Sequence, residues 1–116
     1  MHGTPTPEGF ATVIDAFPTM SASQRAAVAA LGSSKEAPIR VPDIHAEYVW
    51  VEKIACNGSA GQVHSQGLLA AGSGFDNMLD VLSYACPGDP NEHDTYFDFS
   101  ADPTEQKMRK ELGVGP

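Results

Sequence analysis

The chain has 116 residues, enough for one hydrophobic core, and its composition shifts nowhere sharply enough to divide it, so a single domain over residues 1–116 is expected. Fifteen acidic against seven basic residues give a formal charge of −8, with no Lys or Arg between Lys53 and Lys107, a field that excludes nucleic acid and disfavours anionic membrane surfaces. A cationic protein is the partner class such a field attracts, although acidity also serves solubility alone.

No apolar run approaches the roughly eighteen residues of a membrane helix, so no membrane span is expected. Met1 to Pro5 lacks the charged and apolar regions of a leader, and Met1-His2-Gly3 reads as a remnant standing in place of one that was removed.

The first predicted element is a helix at about residues 7 to 17, where Phe10, Val13, Ile14 and Phe17 recur at i, i+3, i+4 and i+7 as one apolar stripe. Thr6 caps it, Pro7 suits its first position and Pro18 ends it. A second helix at 22 to 31 opens with the capping box Ser21 and Gln24 and stops at Gly32. The short link from Pro18 to Met20 makes the two a helical hairpin. Ser33 to Pro42, interrupted by Pro38, has no period and reads as a linker.

Four strands are predicted next. The run Tyr48-Val49-Trp50-Val51 marks one at 47 to 56, because β-branched and aromatic residues favour the pleated surface. Val63 to Ala70 forms a second, weakened by Gly67, and residues 78 to 86 and 95 to 99 form the third and fourth by their alternation. Short connections favour an antiparallel meander. Asp102-Pro103-Thr104-Glu105 then supplies the cap of a short C-terminal helix. The expected architecture is therefore α+β: an N-terminal helical hairpin packed on one face of a four-stranded antiparallel sheet, with a short C-terminal helix.

Glu47-Tyr48, Ser65-Gln66-Gly67-Leu68-Leu69, Asp80-Val81-Leu82 and Tyr96-Phe97-Asp98, taken in that order, resemble the C-terminal strands of an uncharacterised bacterial family of unknown function. The resemblance covers roughly residues 47 to 99. It implies a bacterial origin and the meander, and it transfers no catalytic residue.

Chemistry-bearing motifs are sparse. Asp89, Glu92, His93, Asp94, Asp98 and Asp102 are dense in oxygen ligands but lack the spacing of a Ca²⁺ loop, and His2, His45, His64 and His93 are too scattered for a transition-metal site, so no metal is expected. No G-x-S-x-G occurs, and the glycines of 58 to 61 and 72 to 74 lack the following helix and Lys of a phosphate loop, so no catalytic residue and no cofactor is assigned. Tyr48 and Trp50 share one side of their predicted strand. They belong either to the core or, with Leu82 and Tyr84, to an exposed aromatic patch that binds a partner.

Cys56 and Cys86 are each followed by turn residues. A disulfide between them, formed in an export compartment, is expected, the alternative being two reduced, buried cysteines in a cytosolic protein. First and third strands of a meander lie about 9.5 Å apart, beyond the roughly 7 Å limit for a bridge, so a disulfide is confined to the strand ends, where these cysteines fall.

Two functions remain in view. The leading one is a non-enzymatic interaction module of the bacterial envelope, periplasmic or secreted, of inhibitor or immunity type. The other is a small hydrolase or metal-dependent enzyme whose residues converge only in the fold, marked by a pocket that joins His64 or His93 to several acids.

Overall fold

The structure, a computed structural model, describes residues 6–70, 78–104 and 107. Helix α1 (Phe10–Ala16) continues as a 3₁₀ turn over Phe17–Thr19, so Pro18 lies within the turn instead of ending the helix. The predicted stripe is its inner face: Phe10 and Phe17 are buried, and Val13 and Ile14 pack against the same core.

Helix α2 (Ala22–Ala29) opens with the predicted capping box. The Gln24 amide donates to Ser21 Oγ at 3.2 Å, and the Ser21 amide donates to Gln24 Oε1 at 2.9 Å. Two backbone donors that a helix end otherwise leaves open are thus satisfied. Beyond α2, Gly32 has φ +78°, and a Cβ there would lie 2.7 Å from Ile39 Cδ1, so both conformation and close approach require glycine.

The predicted first strand, 47 to 56, is instead helical. Helix α3 (Ile44–Trp50) starts at Asp43, whose carboxylate accepts the Ala46 amide at 2.9 Å, and runs on as a π turn over Val51–Ala55. Ala46, Glu47, Trp50, Val51 and Ile54 are buried at helical spacing, while Glu52 and Lys53 are exposed. The β-branched and aromatic content of 48 to 51 expresses a preference for a half-buried surface, and packing on one helical face overrides it.

The sheet comprises β1 (Ile39–Arg40), β2 (Gln62–Ala70), β3 (Met78–Ala85) and β4 (Glu92–Asp98), in the order β1-β4-β3-β2. Strands β2, β3 and β4 pair antiparallel in sequence order, as the last three strands of the expected four-stranded meander, with β4 beginning three residues before the predicted 95. The fourth member, β1, falls inside the expected linker and pairs parallel to β4, Ile39 opposite Phe97 and Arg40 opposite Asp98. The sheet is therefore mixed, not wholly antiparallel. Two residues within the short stretch from Pro38 to Pro42 are too few to carry a period, and only their pairing identifies them.

The core cluster joins Phe10, Phe17, Val28, Trp50 and Ile54 of the helical layer to Leu82, Tyr84 and Phe97 of the sheet. Trp50 is wholly buried, its ring centroid 5.9 Å from that of Phe10. Of the predicted C-terminal helix, Pro103 and Thr104 are helical, and residues 105–106 and 108–116 lie outside the described residues.

Cys56 and Cys86 are joined by a disulfide with a Cα separation of 5.4 Å. Cys86 follows β3, as expected of a strand end, but Cys56 closes the π turn, so the bond fastens a helical segment to the sheet. Gly61 lies against it, since a Cβ there would come within 3.0 Å of Cys56 Sγ. Replacing both cysteines by Ser is expected to lower stability by about 3 kcal/mol in urea unfolding, from the entropy returned to an unfolded chain no longer cross-linked. Unchanged stability would show that the bond contributes nothing to the fold.

Candidate functional site

Of the four residues proposed for an exposed aromatic patch, only Tyr48 reaches solvent, at 38% exposure; Trp50, Leu82 and Tyr84 are buried. The patch is corrected for two reasons. Residues two apart on a helix point about 200° from each other, so Tyr48 and Trp50 do not share a side. Leu82 and Tyr84 in turn face the core that the helices complete.

Helix α3 brings a different group together. Glu47 lies in its buried stripe and meets Asp80 of β3, and both side chains are fully buried. Gln66 of β2 donates through Nε2 to both Asp80 oxygens, Oδ1 at 3.0 Å and Oδ2 at 2.7 Å. Tyr48 in turn donates its hydroxyl to Gln66 Oε1 at 2.8 Å. A chain of polar groups thus runs from the surface at Tyr48 and Gln66 to two carboxyls in the interior.

Neither Glu47 oxygen has a hydrogen-bond donor, and Trp50 Nε1, one turn further along α3, has no acceptor. Two ionised carboxylates are both acceptors, and the Glu47–Asp80 contact becomes a hydrogen bond only when Glu47 carries a proton. The environment favours that state. Burial, the bond to Asp80 and the charges of Asp80, Asp102 and Asp43 together push the Glu47 pKa from the ordinary 4.5 up to about 10. Glu47 is accordingly the protonated member of the pair at neutral pH, donating to Asp80.

The flanking acids have structural duties. Asp43 caps α3, and Asp102 accepts the Ile44 amide at 3.0 Å and the Thr104 amide at 2.7 Å. The acidic segment after β3 is engaged in the same way: Asp89 pairs with His93 at 2.7 Å, Glu92 with His64 at 3.0 Å, and Asp94 accepts the Ser83 hydroxyl at 2.6 Å. Asp89 is held below its ordinary pKa by the Asn91 amide first and His93 second.

Among the described residues no three His, Cys, Asp or Glu side chains form a group that could hold a metal ion. A recess of about 180 Å³ is lined by His93 with Asp94 as its single acid, and His64 lines neither it nor a cleft of about 880 Å³ between Phe17, Arg25 and Asn57. Asp76 and Asp80 are four residues apart and, on sequence alone, indistinguishable from surface acids; Asp76 lies outside the described residues. With both cysteines in the disulfide, neither is a thiol nucleophile.

In the sequence Glu47, Gln66 and Asp80 fall in strand motifs and Tyr48 in the proposed aromatic patch, and nothing there joins the four. The available signal was a carboxylate inside an apolar stripe at helical spacing, hidden once the segment was read with period two.

Between pH 4.5 and about 10 the folded protein holds a proton on Glu47 that the unfolded chain has released. Stability therefore falls as pH rises through that window, by up to about 1.4 kcal/mol per pH unit. Glu47→Gln supplies a permanent donor to Asp80 and removes this proton uptake. Urea unfolding at pH 6 and pH 8 is expected to show the native protein losing stability with pH, while the variant is more stable at pH 8 and has a flatter profile. Parallel profiles would contradict a protonated Glu47.

Compared with protein-family models, curated proteins and solved structures, the chain finds no match.

Proposed function

We propose that this domain is a protein-binding module of the bacterial envelope that takes an extended segment of its partner onto the free edge of β2. The observation that carries this reading is the character of that edge. β2 spans nine residues at the end of the sheet order, with β3 as its pairing partner among the described residues. From Gln62 to Ala70 there is no Asp, Glu, Lys, Arg or Pro, in a chain of net charge −8. Proteins that do not use an edge guard it with charge, proline or a bulge, because its open N–H and C=O groups template a further strand. Here a bulge interrupts the register between Val63 and Ser65, and the run beyond it is regular.

Side chains beside this edge suit a partner. Leu68 is 63% exposed, and Ile44 and Tyr48, one turn apart on α3, are exposed at 37% and 38%. Tyr48 touches Gln66, two residues from Leu68 on the same face, so the apolar groups frame the polar chain above Asp80. The disulfide accords with an oxidising compartment, which supports an envelope location. No helix among the described residues is long and apolar enough to cross a membrane.

Selection of phage-displayed random peptides against the oxidised protein tests the reading. Enriched peptides are expected to bind as strands, to slow hydrogen exchange at β2 amides, and to lose about tenfold or more in affinity to Leu68→Lys, which places charge on the edge. Failure to enrich any peptide, or protection confined to other elements, would count against it.

A further inference from the structure

We propose that the Glu47–Asp80 pair is a socket for one organic cation, the guanidinium of an arginine carried by the docking strand, which enters by displacing the side-chain amide of Gln66. This rests on the strand-docking reading and identifies the partner chemistry that the same site selects.

The pair is electrostatically incomplete. Among the described residues no Lys, Arg or His forms an ion pair with either carboxyl. Among the described residues Asp80 is held by one neutral donor, Gln66 Nε2, and neither Glu47 oxygen has a donor although the residue is fully buried. The groups facing Glu47 add to the deficit: Asp80 from β3, Asp102 from the C-terminal segment and Asp43 from the cap of α3 all act on it as like charges, and Tyr48 of its own helix is neutral. The resident proton on Glu47 supplies one positive charge, and a ligand cation would replace it.

The geometry favours guanidinium. Gln66 already spans both Asp80 oxygens from a single nitrogen, the approach that a planar guanidinium makes with two nitrogens and a full charge. Glu47, once it has released its proton, offers two acceptor oxygens to the remaining N–H groups. A metal ion is the poorer occupant, since the described residues offer no group of three ligands.

Access follows from the strand. Gln66 is exposed and sits on the face of β2 that carries Asp80 across the pairing of Gln66 with Leu82 and Leu68 with Asp80. A residue opposite Gln66 on an added strand shares that face, with Cβ atoms about 5 Å apart. An arginine there extends over Gln66 towards Asp80, and its neighbour two residues away meets Leu68. The partner motif is thus an arginine two residues from an apolar side chain. On binding, the Glu47 O–H bond breaks, its proton passes to solvent, and arginine remains protonated throughout.

The test titrates the oxidised, ¹⁵N-labelled full chain with n-butylguanidinium and, separately, with neutral n-butylurea, reading the Gln66 side-chain amide and the Asp80 backbone amide by NMR. Butylguanidinium is expected to move both signals and butylurea neither. Release of one proton makes the affinity rise about tenfold from pH 7 to pH 8. Asp80→Asn is expected to abolish the response; should that variant not fold, Glu47→Gln decides, by binding with no pH dependence. Equal responses to the neutral compound, pH-independent binding by the native protein, or silence at Gln66 would overturn the socket. Peptides that protect β2 yet bind equally with citrulline in place of arginine would overturn it while leaving strand docking intact. The expected butylguanidinium response with no peptide protecting β2 would uphold the socket and remove the docking reading.

Discussion

Helix α3 packs on the sheet through an apolar face, Ala46, Trp50, Val51 and Ile54, and inside that contact two carboxyl groups meet whose arrangement depends on a proton. Asp80 projects from β3 into the interior, Glu47 meets it from the helix, and among the described residues no basic side chain forms an ion pair with either. The contact is attractive while Glu47 is protonated and repulsive once it ionises. Two other fastenings act on the same helix: Asp102 accepts the Ile44 amide at its start, and the disulfide ties the π turn at its end. These two fix the ends of a segment whose middle carries the electrostatic cost. An apolar pair of similar volume would hold α3 without the proton, and local violations of this kind concentrate where a protein does its work.

The distribution of charge makes the edge of β2 stand apart. Eight acids and no Lys or Arg lie between Ile54 and Gln106, yet none of the eight falls within β2. On β4, Glu92, Asp94 and Asp98 alternate onto one face, while Thr95 and Phe97 point into the core. The negative field thus surrounds an edge that is itself neutral and capable of backbone pairing. In the proposed docking, long-range attraction of a cationic partner and short-range strand addition would act on the same approach path, the first on the rate of encounter and the second on its register.

Much of the molecule was legible from local patterns. The stripe Phe10, Val13, Ile14 and Phe17, the box of Ser21 and Gln24, and the alternation of Met78 to Ala85 each express a preference that acts over a few residues. The structure realises them because neighbouring chain does not oppose them. The segment 47 to 56 failed for the opposite reason. Its β-branched and aromatic residues carry a strand preference, but Ala46, Glu47, Trp50, Val51 and Ile54 fill one side of a helix against the sheet, and burial of Trp50 outweighs the intrinsic preference. The pairing of Cys56 with Cys86 was anticipated while the reason was not, since one partner ends a helical segment instead of a strand.

The amino-acid sequence by itself determined the acidic field, the neutral run from Gln62 to Ala70, the capped α2 and the three strands β2 to β4 with their short connections, all properties carried by composition or by residues near one another along the chain. Only the tertiary structure decided that α3 is a helix, that Ile39 and Arg40 join β4 in parallel, and that Glu47, Asp80, Gln66 and Tyr48 form one connected group. Their positions are up to thirty-three residues apart in the chain. What unites them is exclusion of water from the α3–β3 contact, which no local pattern encodes, because the penalty on a buried charge exists only after distant segments have closed over it.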